Sequence, residues 1–534
     1  MAPIMATRRD VALGAAALAL AGGARAAAGE AGALVHAIPA ASARSLSLTC
    51  SFAEPVSAAR LDVAGTPARA RRMDSAGRYW RFEADGLAPG TAHELRLASD
   101  TRQLAEPWTL KTLPDPAAGE TRLRILSFTC AGGWEGARRA SGEASFRPLA
   151  LRRRLLDRAL AFAPDVVIAN GDHVYWDLTV WQDYQPPEDQ ALTSKGFDAF
   201  GRFDRDKALI GTENEEVLTR IGEAQIASLY GTRLKGVPCF FIGDDHDYYE
   251  GDVANSKRIT FPPEDFNVRA QAATAALFYP DFLPDGTRPA GLSGASEGRP
   301  GANQCFGTLR WGRLFEAALF DCARYMSLSG PFAGLVPPDA ERWLLSRAAE
   351  SDAANFLYVP SHPVGWSAGK WREWYPDVLD REAAARGEPR LTTQAEKYFW
   401  QEGWRSQHQR LLAALGARRS PRAIISGDLH AVGWGRIARS YDLDFATDPI
   451  MSVLTGPVST HGRGWPSAAR GVPPQIPLGL EIAQTSPPIE KNGFTILDVT
   501  PEAMTFRLFA WREPDPVEAI DTLEPFDVVE VRRA

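Results

Sequence analysis

The chain has 534 residues, 45% of them hydrophobic and 23% charged, which is more than one compact domain usually holds and typical of a globular protein. A net charge of −7, with eight lysines against 51 arginines, excludes a broad basic nucleic-acid surface and reads as genomic bias toward arginine. Five cysteines are too few for a disulfide scaffold, and their odd number leaves at least one thiol without an intrachain partner.

Residues 1–28 read as an export signal. Arg8-Arg9-Asp10 precedes a weakly apolar run from Gly14 to Ala24, and Ala24-Arg25-Ala26 and Ala26-Ala27-Ala28 offer small-residue cleavage sites. The arginine pair resembles a twin-arginine signal, which implies passage of a folded protein through the twin-arginine export machinery. No other run is long and apolar enough to span a membrane, so the expected mature form is periplasmic or secreted, without a transmembrane anchor, and a monomer.

Residues 31–114 predict a small β-sandwich. Ser45 to Cys50 and His93 to Leu97 alternate with period two, Tyr79 to Phe82 reads as another half-buried strand, and Gly86 to Thr91 marks a tight turn. The turn resembles a fibronectin type III corner, with His93 standing where tyrosine is usual and predicted to make a corner hydrogen bond. Pro114 to Gly119 then reads as a linker.

From 120 to 534 one pattern recurs. Five short apolar runs, 124–129, 165–169, 237–242, 355–359 and 423–425, end at Cys130, Asn170-Gly171-Asp172, Gly243-Asp244-Asp245-His246-Asp247, Ser361-His362 and Gly427-Asp428-Leu429-His430. Helical patterns separate several of them, at Leu149 to Phe162, Glu341 to Ala349 and Trp404 to Leu415. This is an α/β arrangement, and ligands bind beyond the carboxyl ends of its strands. The acidic cluster predicted there would repel itself unless it held cations. Phe494 to Val499 and Met504 to Phe509 predict a hairpin closing one edge of the second sheet.

These blocks resemble the calcineurin-like metallophosphoesterases and, within them, the PhoD-type alkaline phosphatases. The resemblance rests on Cys130 in the first block, Gly171-Asp172-His173-Val174-Tyr175, Asp244 to Asp247, Arg269-Ala270-Gln271 leading to Phe278-Tyr279-Pro280, Arg310-Trp311-Gly312, Asp321 to Arg324, and Gly427-Asp428-Leu429-His430. It covers the chain from about Arg122 onward. It implies an αββα sandwich of two sheets flanked by helices and a dinuclear or multinuclear metal centre of iron(III) with calcium, or other divalent metals. It further implies hydrolysis of phosphate esters by a metal-bound hydroxide attacking phosphorus. Asp172 is then the bridging carboxylate, Cys130 a thiolate ligand and Tyr175 a phenolate, which needs a strong Lewis acid to ionise near neutrality. Asp428, His430 and Asp245 complete the metal set. His246 is placed to stabilise or protonate the leaving oxygen, and Asp172 and His430 share the catalytic work.

Other residues stay open at this point. His362 is either a ligand or a loop cap, Asp252 a ligand or a loop residue, and any of Arg258, Arg269 and Arg324 could hold phosphate. His173 reads as a supporting residue and His408 as structural. Trp366, Trp371, Trp374, Trp400 and Trp404 form either an apolar wall for a lipid or aryl ester or, as expected, ordinary core. Cys305 and Cys322 could pair. Two alternatives remain: a phosphodiesterase acting on phospholipid or cell-wall polymers, and a surface-binding protein with a vestigial site.

Overall fold

The structure is a computed structural model. It describes residues 33–138, 142–175, 196, 198–248, 259, 261–283, 287, 292, 306–461 and 465–533. The expected export signal, Asp252, Arg258 and Cys305 lie outside the described residues.

The amino-terminal part is a pair of four-stranded sheets. One runs Leu34–Ala41, Leu46–Phe52, Tyr79–Ala84, Arg69–Arg72; the other runs Thr66–Pro67, Ala59–Val63, Ala92–Ser99, Trp108–Lys111. Leu48, Phe82, Leu61, Leu95, Leu97 and Leu110 pack between them. Ala92–Ser99 buries alternate residues, as its period-two sequence predicts. Leu46–Phe52 is buried along its whole length, because its second face packs against the helix Asp265–Phe278. The ring nitrogen Nε2 of His93 lies 3.2 Å from the Ala88 carbonyl, the expected corner hydrogen bond.

The same helix end ties the β-sandwich to the rest of the molecule. Buried Arg81 donates to the carbonyls of Ala275 (3.1 Å), Ala276 (3.3 Å) and Tyr279 (3.1 Å) and pairs with Asp281 at 3.0 Å. His36 Nε2 lies 2.6 Å from the Phe278 carbonyl. The last carbonyls of a helix have no intrahelical partner, and a cation there also meets the negative end of the dipole.

Two larger sheets follow. The six-stranded sheet has the order Cys239–Ile242, Val166–Asn170, Leu123–Phe128, Asn492–Val499, Ala503–Trp511, Asp527–Arg532. The eight-stranded sheet runs Phe306–Trp311, Phe315–Phe320, Asn355–Pro360, Arg422–Ser426, Ile450–Leu454, Gly433–Ser440, Leu443–Asp444, with Leu480–Ala483 also paired to Gly433–Ser440. Their inner faces share one core, in which Ile125, Ile168 and Phe240 meet Leu319, Leu357, Ile425 and Val453. Each such side chain contributes roughly 1.5–3 kcal/mol on burial, so the two sheets form a stiff platform.

Helices cover both outer faces. Leu149–Leu160 and Asp265–Phe278 pack on Leu126, Phe128, Val167 and Ala169 of the first sheet. Pro338–Glu350 and Glu402–Gly416 pack on Phe356, Tyr358 and Ile424 of the second. The five predicted apolar runs are all strands, with parallel neighbours on both sheets. The carboxyl-terminal hairpin forms as expected, but its place differs: it pairs with Leu123–Phe128 inside the six-stranded sheet, and Asp527–Arg532 takes the edge. Alternation identifies a strand but not its neighbours; pairing here follows from Leu497 and Val499 joining the inter-sheet core beside Ile125.

Candidate metal centre

The strand ends turn sharply where chemistry is expected. Cys130 (φ 49°), Asp172 (φ 60°), Asp428 (φ 64°) and His430 (φ 52°) all adopt the left-handed conformation that side chains avoid. Such conformations cost on the order of 1–3 kcal/mol each and persist only where the surroundings impose them. Two glycines show how tightly they do so. A Cβ at Gly171 would lie 2.7 Å from Asp244 Cβ, and one at Gly427 would lie 2.4 Å from Thr129 Oγ1. The ends are also tied together: Thr129 Oγ1 donates to the Asn170 carbonyl (2.6 Å), the Cys130 amide to Gly171 (3.1 Å), and Asn170 Nδ2 to Pro360 (3.1 Å).

Asp247 shapes this crevice from beneath. Its carboxylate accepts from the amides of Asp172 (2.9 Å), His173 (2.8 Å), Val174 (3.0 Å) and Asp244 (3.0 Å). Burial nevertheless pushes its pKa up to about 7. His173, also buried, is anchored with Nε2 at 2.9 Å from the Ile242 carbonyl, a supporting role.

Three triads of potential ligands result, each with its donor atoms within 4.8 Å of one another: Cys130, Asp172 and His430; Asp172, Asp245 and His246; Asp244, His362 and Asp428. Asp172 belongs to two of them. Tyr175 sits beside the first, its hydroxyl 3.3 Å from Asp172 Oδ2 and 3.4 Å from His430 Nε2. Thr460 Oγ1 lies 2.9 Å from His430 Nδ1, which leaves Nε2 to face the cluster. His246 is half-buried at the rim, its ring 4.3 Å from that of Tyr175 and its Nε2 3.9 Å from Asp245 Oδ2.

The electrostatics call for cations. Asp172 Oδ1, Asp244 Oδ2, Asp245 Oδ1 and His362 Nε2 are buried with no hydrogen-bond partner, which is costly unless something positive meets them. Burial, reinforced by Asp245, Asp244 and Asp428, drives the Asp172 carboxyl well above the carboxylate range. Burial and Asp172 likewise raise the Cys130 thiol. Asp244 is pushed up to about 7 and Asp428 to about 6, in both cases chiefly by burial. Thiol, carboxylate, imidazole and phenol around one point fit a ferric or borderline divalent ion; the oxygen-richer groups beside it fit a harder cation.

The expected site residues therefore meet, with a different grouping for one pair. Asp428 and His430, only two positions apart, belong to different triads, because the left-handed turn sends Asp428 toward Asp244 and His362. His362 joins the cluster, its Nδ1 lying 3.0 Å from Asp244 Oδ1.

Asp244, part of the acidic block but given no individual role by the sequence, joins the cluster, and Lys370 and Arg372 enter it without any motif to announce them. Lys370 Nζ lies 2.5 Å from the Asp428 carboxylate, and Arg372 Nη2 donates to Asp245 Oδ2. The available signal was two cations within the tryptophan-rich stretch after His362. Burial alone would raise the Asp245 carboxyl, but Arg372, His246 and Lys370 together outweigh it and hold Asp245 below its ordinary range.

Other candidates fall elsewhere. Arg269 pairs with Asp265 at 2.8 Å on an exposed helix turn, and the guanidinium of Arg324 lies 5.2 Å from the Tyr325 ring. Trp366, Trp371, Trp374 and Trp404 are buried core and Trp400 half-buried, as the packing alternative expects. His408 stacks on Trp374 at 5.0 Å. Cys322 is a buried free thiol.

Two facing sheets with helices on both outer faces form an αββα sandwich, with the three candidate triads gathered beyond the strand ends. Among solved structures the chain is similar to that of PhoD, with a TM-score of 0.58 over 93% of this chain and 90% of that chain at 14% identity, so the fold is PhoD-like. The type III pullulan hydrolase from Thermococcus kodakarensis aligns with 74% of this chain and 60% of its own at 8% identity and a TM-score of 0.13. The pullulanase from Bacillus acidopullulyticus aligns with 61% of this chain and 38% of its own at 9% identity and a TM-score of 0.11. No family model and no curated protein matches the chain.

Proposed function

We propose that the protein is an exported, metal-dependent phosphoric ester hydrolase of the alkaline phosphatase type. The observation that carries this reading is the meeting of Cys130, Asp172 and His430, the first and last 300 positions apart, with the Tyr175 hydroxyl 3.3 Å from Asp172. A metal held there supplies Lewis acidity and an activated water. The chain's own residues do the rest. Asp172 presents one oxygen toward Tyr175 and His430 and the other, without a hydrogen-bond partner, into the cluster. The left-handed turns at Cys130, Asp172 and His430 fix the donor positions before a ligand arrives. His246, at the rim, is positioned to hand a proton to the departing ester oxygen. Iron with calcium suits the thiolate and phenolate on one side and the carboxylates on the other.

Export rests on the arginine pair and small-residue cleavage sites near the amino terminus. No helix among the described residues is long and apolar enough to cross a membrane. The test pairs elemental analysis of the purified protein with hydrolysis of an aryl phosphate monoester and a bis-aryl diester. Metal with turnover supports the reading, and the ratio of the two rates separates phosphatase from phosphodiesterase. Absence of both metal and turnover favours a binding protein with a vestigial site.

A further inference from the structure

The segment that follows the Cys130 thiol has no regular secondary structure, yet its peptide groups are held one by one. The Cys130 carbonyl accepts from the Ser459 amide (3.0 Å) and from Ser459 Oγ (2.7 Å), and the Gly132 amide donates to the Asp172 carbonyl at 2.9 Å. Buried Arg152 sends one nitrogen, Nη1, to the carbonyls of Ala131 (3.3 Å), Gly132 (3.2 Å) and Gly133 (2.8 Å). The Gly133 amide donates to Gln225 Oε1 at 2.6 Å, and the same oxygen accepts from the Tyr175 amide at 2.9 Å. One side-chain oxygen thus ties the segment after the thiol to the residue that bears the phenol.

Gln225 comes from neither strand end. Its helix runs through Glu213–Gly222 and Ser228–Tyr230 and opens between them into a π-helical turn, Glu223–Ala227. The wider turn buries Gln225, Ile226 and Ala227 in succession, and turns of this kind recur at functional sites. Gln225 is 1% exposed, and its Nε2 has no hydrogen-bond partner. An orphaned buried donor is costly, so the contribution of this residue lies in its oxygen.

We propose that Gln225 is a positioning residue of the metal centre: its amide oxygen sets the spacing of the Cys130 thiol and the Tyr175 hydroxyl, and with it the affinity and coordination of the ion at Cys130, Asp172 and His430. This rests on the hydrolase reading above. Side chains that hold ligands in place govern metal affinity, and losing one typically costs about 10–100-fold. A purely structural glutamine would change stability and leave that affinity alone.

The test is titration of the metal-free full chain with cobalt(II), whose thiolate charge-transfer and d–d absorption report the ligands around it, with thermal melts alongside. Q225L removes the acceptor at nearly constant volume. Q225N draws it back by one methylene from both amides, and Q225E keeps an acceptor in either protonation state. Q225L and Q225N should bind cobalt(II) at least about tenfold more weakly than the wild type, with altered absorption, and Q225E should stay close to the wild type. L218A, which removes packing from the same helix, should melt lower and keep the wild-type affinity and spectrum. Wild-type affinity and spectrum in Q225N, a loss in Q225E equal to that in Q225N, or an equal loss in L218A would overturn this inference alone. A wild-type chain that binds no metal and hydrolyses neither ester would overturn the hydrolase reading and this inference together. Should Q225L not fold, Q225N and Q225E still decide.

Discussion

The Asp172 amide donates to the Asp247 carboxylate at 2.9 Å, across 75 residues of sequence. This bond fixes the backbone of the residue that two ligand triads share, so the geometry of the centre depends on a carboxylate that ligates nothing. Asp247→Asn would set an NH2 group against amides that need an acceptor. Hydrogen bonds to charged groups contribute roughly 1.5–3 kcal/mol, so a loss of at least about 2 kcal/mol is expected in chemical denaturation, with a parallel fall in metal content.

Asp172→Ala is expected to abolish tight metal binding and hydrolysis together, whereas Tyr175→Phe should keep the metal more weakly. If the ion is ferric, the phenolate gives the protein a visible absorption band that Tyr175→Phe removes. An unchanged spectrum in that variant, or full activity in Asp172→Ala, would contradict the assigned roles.

Gly171 has φ 81° and faces Asp244 Cβ, whereas Gly119 has open space around the place of a side chain. Gly171→Ala should cost at least about 2 kcal/mol, the sum of left-handed strain and the contact, and Gly119→Ala should be close to neutral. Paired thermal melts would show the difference, and equal melts would count against the imposed turn.

Acid should loosen the contact between the β-sandwich and the helix Asp265–Phe278. Burial lowers the His36 pKa from 6.5 to about 4, so the folded state keeps the ring neutral while the unfolded chain takes up a proton below about pH 6.5. The contribution is fully present above that pH and is lost as pH falls toward 4, an effect of roughly 3 kcal/mol. His36→Gln, which can still donate to the Phe278 carbonyl, should flatten stability over this window. A wild-type stability that does not fall between pH 6.5 and 4 would refute the assignment.

The strands and most of the centre were legible because buried parallel strands leave continuous apolar runs, and a polar residue after each run has only one crevice to face. The neighbours of Asn492–Val499 were not, since alternation says which face is inward and not which strand lies alongside. Lys370 and Arg372 escaped for a different reason. They lie in a tryptophan-rich segment with no strand before them, and their meaning comes from Glu373 and Lys397 clamping that segment, contacts that have no fixed spacing. The split of Asp428 from His430 depends on a φ of 64°, which residue type alone does not announce.

The place of the carboxyl-terminal hairpin sets the order in which the molecule can be assembled. The strand leading to Cys130 rests on Asn492–Val499, and that strand on Ala503–Trp511. A chain emerging from the ribosome thus carries its thiol, its carboxylates and its imidazoles long before the sheet beneath them is whole. A chain shortened by its final forty residues would keep Cys130, Asp172 and His430 but lose most of the strand Asn492–Val499 on which Leu123–Phe128 rests, so the three side chains would have no completed sheet beneath them.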